Sequence, residues 1–288
     1  MTVSLRTPLT VAATTVVAAA SAFAGVATVA APTAHATTFN TPIAGNDISW
    51  PNCPKGMGIP SRRSPGEAMP SPRTQFVVIG LTNGPGFSVN PCLGSQVAFA
   101  KRNHILTGQY AMTTFPTAAQ RRRYAAAGPW HGTSTLTKIR NAAYAEARFN
   151  VAAAKRVGLT GKFLWVDVED YPVAPWTSNA TYNRAAVQGV LRGYADAGYR
   201  TGIYSIVAMW NRLTGHWRNG LPLWDSVGGT SRRTALARCS APSFTGGRRL
   251  ISQWWISGGS DFDVTCPGTT GTATPRTAGY VPQLFVRY

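Results

Sequence analysis

The stretch Phe163-Leu164-Trp165-Val166-Asp167-Val168-Glu169-Asp170 joins an apolar run to three of the ten acidic residues in this chain. An apolar run of this length predicts a buried strand. Because side chains alternate between the two faces of a strand, Asp167 and Glu169 share one face, roughly 6 to 7 Å apart along the backbone. Two carboxylates this close raise the pKa of one while the other stays ionised, which is the arrangement that acid-assisted glycoside cleavage uses.

Other acidic residues also follow candidate strands. Asp47, Asp225, Asp261 and Asp263 each lie at or just past the end of one. A solvated surface would scatter its acids among lysines and arginines, so this placement predicts one shared polar site. For any single residue the alternative is an N-cap, because Asp favours the turn that leads into a helix.

The N-terminus predicts a targeting segment. Arg6 precedes an Ala- and Val-rich stretch from Leu9 to about Val29, and Ala34-His35-Ala36 supplies a small-x-small cleavage pattern. We therefore expect residues 1–36 to be a signal peptide and the protein to be secreted, either extracellular or associated with the cell wall. Thr, Ser and Gly interrupt the stretch, and no other apolar run approaches the roughly 20 residues that span a bilayer, so no stable membrane insertion is expected. Residues 37–288 then form a single domain.

Four cysteines follow the predicted signal peptide. They form no Cys-x-x-Cys pair and do not lie at zinc-ligand spacing from a histidine, so in an exported protein they predict disulfides. Three pairings are possible. We favour Cys53 with Cys92 and Cys239 with Cys266, since each pair then brackets connections on neighbouring strands within its own end of the chain. No metal and no cofactor are expected.

The formal net charge is +18, which predicts attraction to polyanions. For an exported protein these are cell-wall polymers, membrane surfaces or extracellular nucleic acid. The basic residues cluster only at Arg121-Arg122-Arg123, Arg232-Arg233 and Arg248-Arg249, without a stripe of interleaved aromatic residues. Nucleic-acid binding is therefore not expected.

Three successive segments place an amphipathic helix before an apolar strand. They are Gly94 to Arg102 with Ile105 to Met112, Thr133 to Gly158 with Lys162 to Glu169, and Asn179 to Gly198 with Ile203 to Ile206. Further strands are predicted near Gly45 to Ser49, Gln75 to Leu81, Leu221 to Trp224 and Arg249 to Trp255, which makes seven or eight in all. Alternating helices and strands indicate a parallel sheet.

The mature length favours a single-domain α/β fold, a (β/α) barrel of the TIM type that is either regular or has an irregular or missing unit. In such a barrel the catalytic groups come from the C-terminal ends of several strands, where the acidic residues above fall. The alternative is an open doubly wound sheet, but no Gly-x-Gly-x-x-Gly follows a strand and no Walker pattern occurs. Residues Pro51 to Thr74 form a long polar insertion after the first strand, predicted to shape the rim of a cleft.

Four motifs in the chain occur in the order of a known family. They are Gly45-Asn46-Asp47-Ile48-Ser49-Trp50, Asp167-Val168-Glu169, Gly202-Ile203-Tyr204-Ser205, and Gln253-Trp254 followed by Phe262-Asp263-Val264. They resemble the family 25 glycoside hydrolases, secreted lysozymes that act as N-acetylmuramidases, here of an actinobacterial type. The resemblance spans most of the mature chain and implies a barrel that cleaves the glycan strand of peptidoglycan, working as a monomer.

The resemblance also implies roles for single residues. Glu169 would be the general acid that protonates the glycosidic oxygen, and Asp167 would stabilise the positively charged sugar or hold an acetamido group of the substrate. Asp47 and Asp263 would complete an acidic cleft, because an oxocarbenium-like transition state gains from fixed negative charge. Either Asp261 or Asp263 could take the fourth position, and we prefer Asp263 for its apolar-Asp-apolar context.

Substrate contacts are expected from side chains beside these acids. The candidates are Tyr110, Tyr204, Gln253 and Trp254, with Tyr171 and Trp176 on the loop that follows Glu169. Core packing is the alternative for the aromatic ones. At the level of function, the alternatives are another glycosidase on the same barrel and a catalytically silent barrel that binds wall glycan. A serine hydrolase is not expected, since no Gly-x-Ser-x-Gly elbow is present.

Overall fold

A computed structural model describes residues 42–170, 175–256, 261–267 and 281–288. The predicted signal peptide and Tyr171 lie outside the described residues. No helix within those ranges is long and apolar enough to cross a bilayer. In chain order the strands and helices are β1 (Ala44–Ile48), β2 (Gly58–Ile59), β3 (Arg62–Arg63), β4 (Phe76–Gly80), α1 (Leu93–Arg102), β5 (Leu106–Met112), α2 (Ala118–Arg123), α3 (Thr135–Arg156), β6 (Phe163–Asp167), α4 (Ala180–Asp196), β7 (Arg200–Ser205), α5 (Val207–Thr214), β8 (Leu223–Gly229), α6 (Arg232–Arg238), β9 (Arg249–Trp255), β10 (Asp261–Thr265) and α7 (Val281–Leu284).

Eight of the strands close into a barrel in the order β1, β10, β9, β8, β7, β6, β5, β4. The prediction of a (β/α) barrel is confirmed, with one irregular unit. Strand β10 runs antiparallel to both of its neighbours, β1 and β9, whereas the other neighbours are parallel. Only residues 256–260 separate β9 from β10, and a parallel pair would need a crossover of a dozen or more residues.

The three predicted helix-to-strand segments are present as α1 with β5, α3 with β6 and α4 with β7. The long helix α3 begins where the Ser134 side chain accepts a hydrogen bond from the Thr137 amide, as an N-cap does. Gly158 and Gly198, in the turns that follow α3 and α4, have positive φ angles of 74° and 80°. Glycine takes this left-handed conformation without a steric penalty, so each turn can lead directly into the next strand.

Alternation along β6 divides the core in two. Phe163 and Trp165 pack inside the barrel, while Leu164 and Val166 pack outside it against the surrounding helices. The inner space is tight: a Cβ added at Gly202 on the neighbouring strand β7 would lie 2.3 Å from the Trp165 ring. Side chains fill the barrel interior, so a ligand cannot occupy it. A binding site can form only at the barrel mouth, where the parallel strands end.

Both predicted disulfides are confirmed. The Cys53–Cys92 bond joins the start of the insertion after β1 to the start of α1, and the Cys239–Cys266 bond joins the end of α6 to the residue that follows β10. Each bond holds a connection at the rim of the barrel. The insertion itself contains the short hairpin of β2 and β3.

Candidate active site

The C-terminal ends of the parallel strands surround a cleft of about 570 Å³. The predicted acids Asp47, Asp167 and Glu169 all line it, and so do Asp261 and Glu67. Asp47 lies one residue before the end of β1 and Asp167 ends β6, with β4 and β5 between the two strands, and Glu169 continues from β6 with Val168 turned outward into the core. The structure therefore gathers into one site acids that lie more than 200 residues apart in the sequence.

The two candidates for the fourth cleft acid lie at different depths. Asp263 is completely buried beneath the cleft, and Asp261 lines the cleft surface. Because β10 runs antiparallel to β1 and β9, its first residue lies at the same barrel end as the last residues of the parallel strands. Asp261 and Asp263 share one face of β10, but Asp263 is two residues deeper.

An aromatic floor lies directly under the acids. Trp224 is buried at its centre, with ring centroids 4.4 Å from Tyr204, 5.7 Å from Tyr110 and 5.9 Å from Trp165. Its indole Nε1 donates a 2.8 Å hydrogen bond to Oδ1 of Asp263. These rings exclude water from below, so the carboxyl groups above them are poorly hydrated.

Loss of hydration raises the pKa of five of these acids, Asp47, Asp167, Glu169, Asp261 and Asp263, because burial penalises the charged form. The pKa of Asp47 rises to about 6, that of Glu169 to about 7 and that of Asp261 to about 8, in each case mainly through burial. Burial and repulsion from neighbouring carboxylates raise the pKa values of Asp167 and Asp263 well above the ordinary range. The cleft therefore keeps protons that exposed carboxyl groups would lose.

A chain of hydrogen bonds fixes Asp47. The Tyr204 hydroxyl donates to Oε1 of Gln253 at 2.8 Å, and Nε2 of Gln253 donates to Oδ2 of Asp47 at 2.7 Å. The charge of Asp47 adds to burial in raising the pKa of Asp263, so the two carboxyl groups are electrostatically linked. The predicted substrate contacts Tyr204 and Gln253 therefore line the cleft and also orient one of its acids.

The other predicted contacts divide between the cleft and the core. Tyr110 lines the cleft. Trp254 does not: it is 8% exposed, stacks on Phe262 and packs outside the barrel. The next residue, Trp255, is 45% exposed and faces the cleft. Since Gln253 points inward, alternation along β9 turns Trp254 outward and Trp255 inward.

Trp176 also packs away from the cleft. It belongs to the outer core, its ring lies beside Phe115, and its Nε1 donates a 2.8 Å hydrogen bond to the carbonyl of Glu169. The expectation of a direct substrate contact is therefore not supported by its position. Trp176 instead anchors the backbone that carries Glu169.

Two further acids are ion-paired outside the site. Asp170 lies 2.7 Å from the guanidinium of Arg212. Asp225 is completely buried between Arg249, at 2.9 Å, and Arg238, at 3.0 Å. Neither lines the cleft, so Asp225 is a structural residue.

The insertion after β1 contributes residues that the sequence patterns did not reveal. Trp50, the last residue of the first motif, lines one wall of the cleft. Arg62 and Glu67 of the insertion lie on the same wall. No local signal identifies them, because their position depends on how the β2–β3 hairpin folds back over the barrel mouth. Among the described residues, no group of three or more His, Cys, Asp or Glu side chains is arranged to hold a metal ion.

Solved structures with this architecture include muramidases. The muramidase from Acremonium alcalophilum superimposes with a TM-score of 0.53 at 15% identity, covering 84% of this chain and 99% of its own. The modular autolysin LytC from Streptococcus pneumoniae, in complex with a synthetic peptidoglycan ligand, superimposes with a TM-score of 0.50 at 14% identity over 77% of this chain and 46% of its own. The chain has the lysozyme-type (β/α)-barrel fold. At these identities the likeness concerns the fold alone.

Sequence comparison is consistent with the lysozyme-type fold. The family model Lys-1, described as Lysozyme-like protein 1, matches residues 134–235, a range that contains Asp167 and Glu169. A family GH25 lysozyme from Aspergillus fumigatus is 20% identical, with a TM-score of 0.49, over 78% of this chain and 94% of its own. No curated protein matches the chain significantly.

The pairing of Asp263 with Asp47 predicts a pH-dependent effect of Asp263→Asn. The ordinary pKa is 3.8, and the folded protein raises it, so the folded state keeps a proton that the unfolded chain releases as the pH rises above about 4. Stability therefore falls with rising pH, by at most about 1.4 kcal/mol per pH unit for one proton. Asparagine can still accept from Trp224 and has no such proton to release. We expect its free energy of unfolding, relative to wild type, to increase between pH 4 and pH 7.

Urea unfolding at pH 4 and pH 7 measures this difference. Asp196→Asn is the matched control, because Asp196 forms a partly exposed pair with Arg192, and both pH values should give a change within about 1 kcal/mol of wild type. An Asp263→Asn difference that is the same at both pH values would contradict the buried, protonated state of Asp263.

Proposed function

We propose that this protein is a secreted muramidase that hydrolyses the glycan strand of peptidoglycan, with Glu169 as its general acid. The observation that carries the proposal is the cluster of Asp47, Asp167, Glu169 and Asp261 in one cleft above an aromatic floor. A glycosidase of this kind needs one carboxyl that holds a proton beside another that is ionised.

The pKa values of two cleft acids support that division of roles. The pKa of Asp47 is raised to about 6 and that of Glu169 to about 7, so between these pH values Asp47 is ionised and Glu169 keeps its proton. Glu169 can then protonate the leaving oxygen, while the charge on Asp47 stabilises the oxocarbenium-like transition state. We expect activity to be highest in this mildly acidic range.

Asp167 is suited to hold the substrate's acetamido group. Its carboxyl is buried, its Oδ1 makes no hydrogen bond among the described residues, and burial together with the charges of Glu169 and Asp47 raises its pKa well above the ordinary range. A protonated carboxyl of this kind can donate to an amide carbonyl. Asp167 would thus position the sugar ring whose bond Glu169 protonates.

Three lines of support favour a wall-glycan substrate and secretion. The lysozyme-like family model covers the β6 segment, and LytC, which shares the fold, was solved with a synthetic peptidoglycan ligand. The net charge of +18 favours approach to the anionic polymers of a cell wall. The two disulfides suit the oxidising compartment that the proposed signal peptide, residues 1–36, would lead to.

Glu169→Gln removes the proposed general acid. The amide cannot deliver a proton, so we expect cleavage of purified peptidoglycan to fall by roughly 10²- to 10⁴-fold while the thermal midpoint stays at or above that of wild type. Turbidity loss and release of soluble muropeptides measure the rate. Asp170→Asn is the matched control, because Asp170 is paired with Arg212 outside the cleft, and it should cleave at nearly the wild-type rate. Wild-type activity in Glu169→Gln would sink the assignment.

Two adjacent tryptophans on β9 should differ in their roles. Trp255 presents its ring to the cleft, so Trp255→Ala should weaken glycan binding by roughly three- to tenfold with little loss of stability. Trp254→Ala should instead cost about 3 to 5 kcal/mol of stability, because that ring is packed in the core. Glycan dissociation constants and urea unfolding separate the two effects, and the reverse pattern would overturn the register of β9.

A further inference from the structure

One positive charge faces the acids of the cleft. Arg62 is the one basic side chain among the described residues that line it, whereas five lining residues are acidic. The guanidinium comes from the 51–74 insertion and not from a barrel strand. With only 6% of its surface exposed, this cation is buried at the site rather than solvated at the rim.

Close packing holds the Arg62 guanidinium in place. Its Cζ lies 5.2 Å from the centre of the Trp50 ring, a cation–π contact. On another side it lies against Gly84, where an added Cβ would come within 2.2 Å of Nη1. A side chain at position 84 would displace the guanidinium. Glycine at this position therefore allows Arg62 to pack against the backbone.

The backbone of the β2–β3 hairpin is also fixed. The buried side chain of Asn83 accepts a 3.0 Å hydrogen bond from the Ile59 amide and donates one, at 3.4 Å, to the Arg62 carbonyl. The Cys53–Cys92 disulfide ties the start of the insertion to α1. The hairpin therefore presents Arg62 to the cleft as a fixed charge and not as a mobile side chain.

The field of Arg62 acts on the two acids of the β6 end. It lowers the pKa of Asp167 and of Glu169, opposing the rise that burial causes in both. The other titratable or charged groups around this pair are Asp47, Asp261 and Asp263 on β1 and β10, Tyr110 and Tyr204 on β5 and β7, Glu67 in the insertion, and the outer pair of Asp170 with Arg212. Asp47 raises the pKa of Asp167 and Asp261 raises that of Glu169, so within the described cleft lining the opposing charge on this pair is that of Arg62.

We propose that Arg62 is a positioning residue of the active site: the insertion holds this fixed cation in the cleft, where it offsets the mutual repulsion of the Asp167 and Glu169 carboxyl groups. Arg62 acts through the acids and not on the substrate. This inference rests on the proposed function for its kinetic test, and a spectroscopic test separates the two.

The kinetic test is the pH profile of kcat for peptidoglycan cleavage. Without the cation Glu169 holds its proton more tightly, so the alkaline limb of the bell-shaped profile of Arg62→Met should move to higher pH by about one unit, while the acid limb, which Asp47 sets, should stay in place. Arg62→Lys keeps the charge and should restore most of the wild-type profile. Arg63→Gln is the matched control: it removes one positive charge from the exposed side of the same hairpin and should leave the limbs in place.

The profile also distinguishes the competing role of a substrate contact. If Arg62→Met raises KM and leaves both limbs unmoved, Arg62 binds substrate and the positioning role is overturned. If Arg62→Met lowers activity at every pH equally and Arg62→Lys does not restore it, the effect is structural and the proposal is again overturned.

The spectroscopic test does not require activity. The chain has three glutamates, Glu67, Glu146 and Glu169, so carboxyl-¹³C glutamate labelling yields a spectrum that Glu169→Gln assigns directly. The Glu169 titration midpoint should rise by about one unit in Arg62→Met and remain near wild type in Arg62→Lys. If Arg62→Met does not fold, Arg62→Gln takes its place. A rise in a protein that cleaves no glycan would refute the proposed function alone, and an unchanged midpoint would refute the role of Arg62.

Discussion

Loss of hydration at crowded carboxyl groups is the constraint on which this site depends. Trp224 and the rings around it exclude water from below, and the insertion forms a wall on one side. Burial is the leading cause of the raised pKa of every acid in the cluster. The fold accommodates so many acids in one place because several of them remain protonated, and the same retained protons make acid-assisted chemistry available near neutral pH.

The acids of this chain differ in their partners more than in their burial. Asp225 is as completely buried as Asp263, but two arginines surround it, and it holds the α6 region to β8 and β9. Asp263 instead lies near the Asp47 carboxyl group and accepts a hydrogen bond from the Trp224 indole. A buried acid between two guanidinium groups forms a structural ion pair, whereas a buried acid beside other acids has a raised pKa and retains its proton. The chain uses the first arrangement to build the barrel and the second to build the cleft.

The sequence predicts the site where local rules apply. Alternation placed Asp167 and Glu169 on one face. The helix-to-strand repeats predicted the barrel, and a barrel brings the strand end that carries Asp47 to the same site. The same alternation could have identified Trp255, since Gln253 and Trp254 cannot both face inward. Asp261 and Asp263 share a face, so alternation cannot rank them, and their depth follows from the reversal of β10. Arg62 lies in an insertion with no periodic pattern, and its place in the cleft depends on tertiary contacts with Trp50, Asn83 and Gly84.

Cleavage of the wall glycan by the clustered acids would leave new reducing ends, whose identity can be read after borohydride reduction and hydrolysis of purified peptidoglycan treated with the wild-type protein. We expect new reduced muramic acid in wild type and none in Glu169→Gln. New reduced glucosamine would indicate a glycosidase of different bond specificity, and undegraded glycan with protein bound to it would contradict the account.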